Sequence, residues 1–289
     1  MNGDYKMELI STSEFGMKTV NDSEFQLIKR LIYRQTGIFF NDHKKTMIAN
    51  RLRKRLNTLG FTSYKRYYDY VTKEPSGRKE LSECINCLTT NETFFFRHHE
   101  QIEYLIENIL PELKAHKKPG DKIRIWSVGC SSGEEPYSIA ILMDKKLKQS
   151  ELDQIEIIAS DINKSMIDRA QLGTYNTYAI QQLPKQDLRT YFFQDEEKEM
   201  YHICQKIKSR VHFHQHNILC TFPHGVFDVI LCRNVFIYFD RKSKEKALKN
   251  ILLHLKPGGF LVIGFAESMI DQKLYLQYIK PTVYRRVEA

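Results

Sequence analysis

The sequence predicts an α/β fold with a doubly wound, mostly parallel sheet, preceded by an all-helical N-terminal domain and interrupted by a small antiparallel β-subdomain. Apolar runs of strand length alternate with helical patterns from about residue 122 onward. Residues 22–88, in contrast, show helical periodicity and no strong strand signal. A turn with two glycines directly follows the first apolar run. Because strands separated by helices form parallel sheets covered on both faces, these observations indicate the doubly wound class.

The change of pattern also sets the expected domain boundaries. We expect the helical domain at residues 1–85, the α/β domain at 86–289, and the inserted β-subdomain at about 188–210. The helical domain contains an apolar stripe at spacings of four and three residues, formed by Ile48, Leu52, Leu56 and Leu59. Gly60 is expected to end this helix. Basic residues lie opposite the stripe or in the turns just before it: Lys44, Lys45, Arg51, Lys54 and Arg55.

The α/β domain is predicted to alternate strands and helices along the chain. Strands are expected at residues 122–128, 155–160, 226–232 and 260–264, and helices at 135–148, 164–172 and 242–255. The KPGG segment, 256–259, is expected to turn a helix into its strand, and 282–287 to add an antiparallel edge strand. Two short segments, 190–193 and 199–204, predict the hairpin of the β-subdomain.

The turn at residues 128–138 (VGCSSGEEPYS) is the most informative single feature of the sequence. Gly129 and Gly133 let the backbone approach a ligand, and the helix start that follows offers free N–H groups. Glu134 and Glu135 occupy that helix start, where they would repel a pyrophosphate but could pair with an amine or a sulfonium. The turn therefore favours a cationic nucleoside such as S-adenosylmethionine. Alternatively, both glutamates only complement the helix dipole.

Polar residues follow three further strands at the edge where a doubly wound sheet binds its ligands. Asp161 could accept hydrogen bonds from both hydroxyls of a ribose, or could cap the next helix. Asn217 and Ile218 suit the edge and face of an adenine, although a plain turn explains them equally well. Arg233 and Asn234 close a buried strand, which seldom ends on a charge without a reason. These residues are therefore the candidates for the ligand cleft.

A polar segment with three phenylalanines, residues 89–97 (TTNETFFFR), precedes the first strand. Its polar members Asn91, Thr93 and Arg97 are expected to face the ligand. Residues 94–96, all Phe, are expected to pack over the cleft as a lid that excludes water.

Composition limits the remaining possibilities. The formal net charge of +9 favours an acidic partner, and nucleic acid, anionic lipid and an acidic protein all qualify. No apolar stretch is long enough to span a membrane and no signal peptide is expected.

The six cysteines lack a framework spacing, which favours a reducing cytoplasm, and Cys84 and Cys87 are interpreted as a structural pair. His212, His214 and His216 alternate without a completing ligand, so no metal site is expected.

Several segments together resemble the chemotaxis receptor methyltransferases of the CheR type. They are Asn91-x-Thr93-x-x-x-Arg97, GEEPYS at 133–138, ASD at 159–161, CRNVFIYFD at 232–240 and FLVIGFAES at 260–268. Each segment alone is common, whereas their order and spacing are specific, and the likeness covers nearly the whole chain. The resemblance implies a class I S-adenosylmethionine-dependent methyltransferase. It also implies that glutamate side chains of chemoreceptors become methyl esters for chemotactic adaptation.

The resemblance implies roles for individual residues as well. Those expected to contact S-adenosylmethionine, or its product S-adenosylhomocysteine, are Asn91, Thr93, Arg97, Glu134, Asp161, Asn217, Ile218, Arg233 and Asn234. Arg97 and Tyr238 are expected nearest to the transferred methyl group, and Arg97 could hold either the cofactor or the incoming glutamate. Glu135 need be no more than a charge at the helix start. The basic helix would contact the acidic helical region of the receptor.

One departure concerns the receptor's C-terminal tail. Family members that tether to this tail carry a glycine-containing turn in the β-subdomain. Residues 193–210 contain no glycine, and the turn is Asp195-Glu196-Glu197-Lys198. Tail tethering is therefore not expected, and direct recognition of the methylated region is.

Rival functions remain at this point. A methyltransferase acting on nucleic acid, or on another acidic protein, fits the basic charge and the fold. The Pro-Pro-aromatic motif of amino-methylating enzymes is missing where Arg233 and Asn234 stand, and the basic residues lack interleaved aromatics for base stacking, so no nucleic acid is expected. A cofactor-binding sensor without activity conflicts with the complete set of cleft residues. The basic helix could also be a solvated face without a partner.

Overall fold

The computed structural model of the protein describes residues 19–118, 120–195, 197, 199–267 and 275–287. The chain divides into two compact units, Met1–Arg34 with Phe40–Leu88, and Gln35–Phe39 with Thr89–Ala289. Within the described ranges, no helix is long and apolar enough to cross a membrane.

The first unit is built from helices, as the sequence predicts. A 3-10 turn at Asp42–Lys44 joins the first two, and the helices are α1 Asp22–Thr36, α2 Lys45–Thr58, α3 Tyr64–Lys73 and α4 Gly77–Leu88. Leu59 is 38% exposed, whereas the other members of the predicted apolar stripe are buried. The helix ends before it, and Gly60 adopts φ +71° just after it. The expected helix end is confirmed, and the placement of Leu59 in the stripe is wrong.

The predicted basic face of α2 is partly used inside the unit. Arg55 donates two hydrogen bonds to the carboxylate of Glu80, which is 5% exposed, and this contact raises the pKa of Arg55. Arg51 donates from Nη1 to a main-chain carbonyl at the end of α4, at 3.0 Å. Lys44 and Lys54 are exposed. Lys45 pairs with the exposed Asp22 at 2.7 Å, so three of the five predicted contact residues are engaged within the unit itself.

The second unit contains two sheets. Its strands are β1 Ile123–Val128, β2 Ile155–Asp161, β3 Thr174–Tyr175, β4 Phe192–Asp195, β5 Met200–Ile203, β6 Val211–Gln215, β7 Phe227–Cys232, β8 Leu255–Ile263, β9 Leu276–Lys280 and β10 Val283–Arg286. The larger sheet has the order β6-β2-β1-β7-β8-β10-β9. Pairs from β6 to β8 are parallel, and β10 is antiparallel to both neighbours. The predicted mostly parallel sheet is confirmed.

Helices connect these strands and cover both faces of the sheet. They are α5 His99–Tyr104, continued by a π-helical turn Leu105–Ile109, then α6 Leu110–Ala115, α7 Glu134–Lys146, α8 Gln149–Leu152, α9 Lys164–Leu172, α10 Thr177–Ile180, α11 Lys185–Tyr191, α12 Gln205–Lys208 and α13 Arg241–His254. Ile125 of β1 packs in the core that includes α7, whereas its neighbour Trp126 packs in the core that includes α13. All of β7 is buried, as expected for a strand covered on both faces.

Two predictions about the end of the sheet are wrong. The KPGG segment belongs to β8, where the pairing with β7 shifts register between Phe227 and Val229. The run at 282–287 supplies β10, which lies inside the sheet, and β9 forms the edge. The alternation of β10 predicted an antiparallel strand correctly. It could not show that an earlier segment, β9, takes the edge position.

The predicted β-subdomain is a three-stranded antiparallel sheet with the order β3-β5-β4. The hairpin partners are β4 and β5, but residues 190 and 191 belong to α11 instead of the first strand. The third strand, β3, comes from before the predicted insert. Glu196 and Lys198 of the acidic turn lie outside the described residues, as does Ser268 of the last motif.

Candidate active site

The turn after β1 is fixed against the end of β2 by main-chain contacts. The N–H groups of Gly129 and Cys130 donate to the carbonyl of Ser160, at 2.7 and 3.0 Å. Gly133 adopts φ +93°, and a Cβ there would lie 2.9 Å from Cβ of Ala170. The turn therefore needs glycine both for its left-handed backbone and for close packing against α9.

Asp161 ties this turn to the loop after β2. Its Oδ2 accepts from the Ser131 N–H and its Oδ1 from the Asn163 N–H, both at 2.8 Å. The side chain is 7% exposed, and burial raises its pKa. The cap of α9 is Asn163, whose Oδ1 accepts from the Met166 N–H. The alternative role of Asp161 as that cap is therefore wrong, and each carboxylate oxygen keeps capacity for a further donor.

Glu134 is a buried carboxylate at the start of α7. It is 3% exposed, and its two oxygens lie 2.8 and 2.9 Å from the Ser132 hydroxyl. Burial raises the pKa of Glu134 to about 7. No cation among the described residues forms an ion pair with it. A buried acid of this kind fits the amine or sulfonium of a cationic ligand, which would stabilise its ionised form.

Glu135 has a different role from its neighbour. Its Oε1 accepts from the Ser127 hydroxyl at 2.7 Å, and its Oε2 pairs with Nη1 of Arg233 at 3.0 Å. Nη2 of Arg233 donates to the carbonyl of Arg97. Arg233 is only 6% exposed and Glu135 is partly buried, and their ion pair joins α7, the end of β7 and the segment 89–97. Glu135 lies in the first turn of α7 as expected, but the interpretation that it is no more than a helix-start charge is wrong.

Two of the three phenylalanines in the segment 89–97 are buried in the core and do not lie over the cleft as a lid. Phe95 and Phe96 are 0% and 5% exposed, and their N–H groups donate to the Ala179 carbonyl and the Ser138 hydroxyl, at 2.8 and 2.9 Å. Only Phe94 is half-buried. The prediction that residues 94–96 together form a lid is therefore wrong. A run of three phenylalanines did not reveal which of them point inward.

The polar members of the segment face the turn or lie close to it. The carbonyl of Asn91 accepts from the Ser131 hydroxyl at 3.1 Å. Thr93 is half-buried. The guanidinium of Arg97 lies 5.8 Å from the ring centre of Phe94, and its Nη1 donates to a carbonyl in the same segment at 3.2 Å. The structure thus places the main chain of Asn91 against the turn after β1, and the main chain of Arg97 against Arg233 at the end of β7.

Asn217 is engaged at both ends of its amide. Nδ2 donates to the Gln35 carbonyl at 2.7 Å, and Oδ1 accepts from the Leu219 N–H at 3.0 Å. The second contact closes a local turn of the kind that asparagine favours. Ile218 is 8% exposed and packs in the core that includes α13. Both residues follow β6, next to the loop of Asp161, whose carbonyl accepts from the N–H just before Asn217 at 2.8 Å.

The loop after β7 depends on a residue that sequence reasoning assigned no role. Glu267 accepts from the N–H groups of Asn234 at 3.0 Å, Gly264 at 2.6 Å and Ile237 at 3.3 Å. Burial raises the pKa of this carboxylate. Asn234 adopts φ +61°, a conformation that these contacts hold in place. Glu267 belongs to the motif at 260–268, which was the available signal for it.

Tyr238 lies on the same loop, at the end of a 3-10 turn, Phe236–Tyr238. Its carbonyl accepts from the Phe39 N–H at 2.9 Å, and a β-bridge joins Ile38 to Phe239. The half-buried Tyr238 is therefore held a few residues from Asn234 along a fixed loop.

The remaining metal and cysteine candidates do not form a further site. Among the described residues, no group of three or more His, Cys, Asp and Glu is arranged to hold a metal ion. Cys84 is buried, Cys87 is partly buried, and both are free thiols.

Comparison with known proteins identifies two matching family models. The model described as "CheR methyltransferase, SAM binding domain" matches residues 91–285, and "CheR methyltransferase, all-alpha domain" matches 23–89. "Chemotaxis protein methyltransferase 2" of Vibrio cholerae is 38% identical over 86% of this chain and 87% of its own length. The chemotaxis protein methyltransferases of Borreliella burgdorferi and Escherichia coli are 33% and 35% identical over 92% of this chain, and 95% and 91% of their own lengths.

A doubly wound sheet that offers buried carboxylates at its ligand-binding edge, where a phosphate-binding protein would offer free N–H groups, is typical of class I S-adenosylmethionine-dependent methyltransferases. Within this class, the chain belongs to the CheR methyltransferase family, whose two models together span most of its length. The resemblance recognised in the sequence is confirmed. The chemotaxis methyltransferase function is supported over the nucleic-acid alternative.

Proposed function

We propose that the protein transfers a methyl group from S-adenosylmethionine to glutamate carboxylates in the cytoplasmic region of chemoreceptors, giving methyl esters for chemotactic adaptation. The single observation that carries the proposal is the buried Glu134 beside Asp161 at the carboxyl edge of the sheet. Relatives that share most of the chain carry the name of chemotaxis protein methyltransferases.

The cleft residues fit the parts of this cofactor. Glu134 would pair with its amine, and Asp161 would accept from the ribose hydroxyls. Asn217 and Ile218 would contact the adenine. The other proposed contacts come from Asn91, Thr93, Arg97, Arg233 and Asn234. In support, no described residue forms an ion pair with Glu134, and Asp161 keeps acceptor capacity.

The chemistry needs positioning more than proton transfer. When bound, S-adenosylmethionine supplies an activated methyl group on a positively charged sulfur. A glutamate carboxylate, with an ordinary pKa of about 4.3, is already ionised near neutral pH and needs no general base. Holding the carboxylate in line with the methyl group can lower the activation barrier of the transfer by several kcal/mol. Ideal orientation of two reacting groups can contribute ~7–11 kcal/mol.

Arg97 and Tyr238 are the residues proposed to orient the incoming glutamate. The buried Arg233 fixes the main chain of Arg97, and the loop contacts fix Tyr238, so both side chains start from rigid backbone. An alternative contact of Arg97 with the carboxylate of the cofactor remains open. If Arg97→Ala and Tyr238→Phe leave turnover unchanged while the cofactor still binds, neither residue has this role.

For receptor binding, we propose the exposed cations of the α2 region. Lys44 and Lys54 are exposed, whereas Arg55 is paired with Glu80 and Lys45 with Asp22. Arg51 donates to a main-chain carbonyl. The attraction between the α2 region and an acidic receptor surface should therefore come mainly from Lys44 and Lys54. The absence of glycine in the turn between β4 and β5 supports recognition without tail tethering.

The test is incubation with radiolabelled S-adenosylmethionine and membranes that contain chemoreceptors. Base-labile label on receptor protein is the expected result, because a glutamyl methyl ester hydrolyses in base. Label on nucleic acid, or no label on any macromolecule, would refute the proposal. Receptors that lack their C-terminal tail should be labelled at the same rate as intact ones.

A further inference from the structure

We propose that three exposed apolar side chains at the mouth of the cleft, Phe39, Ile237 and Phe265, form a docking surface for the receptor helix that carries the target glutamate. We call this surface the apolar rim. The inference rests on the proposed function and adds the surface that positions its substrate. The exposed fractions of these side chains are 49%, 45% and 49%, so each presents apolar surface to solvent.

Ile237 and Phe265 lie on two loop segments that the Glu267 carboxylate joins, through the N–H groups of Ile237 and Gly264. The N–H of Ile237 donates to Glu267, which also holds the N–H of Asn234. Phe265 lies between Gly264 and Glu267 in the chain, and its ring centre is 4.9 Å from that of His98. His98 is the neighbour of Arg97. These two rim residues therefore border the part of the cleft where the carbonyl of Arg97 contacts Arg233, the chain neighbour of Asn234.

Phe39 extends the rim along the same loop. Its N–H donates to the carbonyl of Tyr238 at 2.9 Å, and the β-bridge between Ile38 and Phe239 fixes the segment. Phe39 is thus held next to Tyr238, one position along the chain from Ile237. The three apolar side chains flank a single loop instead of being scattered over the surface.

The reach of the substrate explains why this rim must be covered during the reaction. A glutamate carboxylate lies only about 5 Å from its own Cα, even with the side chain fully extended. An α-helix with its side chains is about 10–12 Å wide, so the helix body must rest on the mouth of the cleft when its glutamate enters. Residues that border the entrance then contact the helix.

The chemistry of the rim specifies what the helix presents to it. Neighbours three and four positions from the glutamate share its face of the helix. Apolar rim side chains favour small or apolar residues at those positions and disfavour charged ones, because a charge would lose water without gaining a partner. The contact should be insensitive to salt, unlike one made by exposed lysines.

The experiment compares Ile237→Ser and Phe265→Ser with Leu253→Ser, in the full chain, on receptor membranes. Leu253 is 58% exposed on α13 and serves as the matched control. We expect KM for receptor to rise about tenfold in each rim variant, from the loss of apolar contact. The change should be equal at low and high salt, with kcat, cofactor Kd and the control unchanged. Receptors with Asp three or four positions from the glutamate should lose the difference between wild type and rim variants.

Other outcomes would overturn the proposal. A KM within twofold of wild type in both rim variants would show that the helix does not rest there. A parallel loss of cofactor affinity would assign these residues to the cofactor site instead. Phe39→Ser provides a further variant if one of the others fails to fold. Failure of the wild-type protein to label receptors would refute the proposed function, and with it the rim, whereas normal wild-type labelling with unaffected variants would refute the rim alone.

Discussion

Two buried carboxylates at opposite ends of the parallel strands differ in how their charge is balanced. Asp228, at the amino end of β7, is 4% exposed and contacts Lys117 at 2.7 Å and Lys256 at 3.0 Å. Burial opposes its ionisation, but these lysines and the Arg124 N–H lower its pKa overall. Glu134, beyond the carboxyl end of β1, is equally buried and has its pKa raised to about 7.

We interpret this difference as one between a structural acid, Asp228, and an acid proposed to bind the ligand, Glu134. Asp228 is paired with two lysines of the same chain, so these ion pairs stabilise the folded protein. Glu134 lacks a resident cation among the described residues, and a ligand can supply one. Perturbed acids at a cleft are typical of functional sites. The comparison predicts that the two residues respond in opposite ways to the same chemical change.

Glu134→Gln should weaken cofactor binding about 100-fold, since a charge-assisted hydrogen bond to a buried group contributes about 1.5–3 kcal/mol. Unfolding stability should not fall, because the variant buries an amide where a charged group was disfavoured. Calorimetric titration with S-adenosylhomocysteine and urea unfolding would measure both. Unchanged affinity would show that Glu134 does not hold the amine.

Asp228→Asn should give the reverse pattern. Removing the charge leaves two lysines without their acid, and we expect a loss of about 2 kcal/mol in the free energy of unfolding, less than for a fully buried pair because both lysines are partly exposed. Cofactor affinity should be unaffected. A variant that binds the cofactor more weakly while unfolding normally would contradict the division into structural and ligand-binding acids.

The pH dependence of cofactor affinity provides a third test. The pKa of Glu134 is about 7 in the free protein and should fall when a cation binds, so affinity is present above pH 7 and lost as pH falls through it. Affinity should therefore rise about tenfold from pH 6 to pH 8. The Glu134→Gln variant, with no carboxyl to ionise, should show a flat profile. A wild-type profile that is also flat would place the titrating acid elsewhere.

Cations can likewise be divided into those paired within the fold and those exposed to a partner. Changing an exposed cation is expected to have the smallest effect of these predictions. Arg55 is bound to the buried Glu80, whereas Lys54 is exposed. Lys54→Glu should raise KM for receptor about threefold at low salt, with little effect at high salt and none on stability. Arg55→Ala should lower stability instead, by breaking the Glu80 contact. If Lys54→Glu changes nothing at low salt, this part of α2 does not meet the receptor.

Local patterns allowed much of the fold to be predicted. The end of α2 just before Gly60, the bounds of α9 and the buried run of β7 follow from turn chemistry and periodicity over short stretches. The place of β10 inside the sheet does not, because it depends on pairing with β8 and β9 in space. A local residue pattern can indicate that a segment is a strand, but it seldom indicates which strands lie beside it in the sheet.

The candidate site divides in the same way. Glu134 and Asp161 could be recognised from their positions after the strands, since that edge binds ligands in all such sheets. The pair of Glu135 and Arg233 spans 98 residues, and Glu267 lies 33 residues from Asn234. Nothing in the local sequence marks such contacts. The assignments of residues to individual parts of the cofactor stay predictions.

Arg233 has a consequence for how the chain folds. This one side chain joins partners 98 and 136 residues away, Glu135 on α7 and the main-chain carbonyl of Arg97. Contacts that close such long loops form after local helices and hairpins. The chain must lose the conformational entropy of loop closure before these contacts can stabilise it. We expect the cleft to be completed late in folding, so that the ability to bind the cofactor marks a chain whose whole α/β unit has assembled.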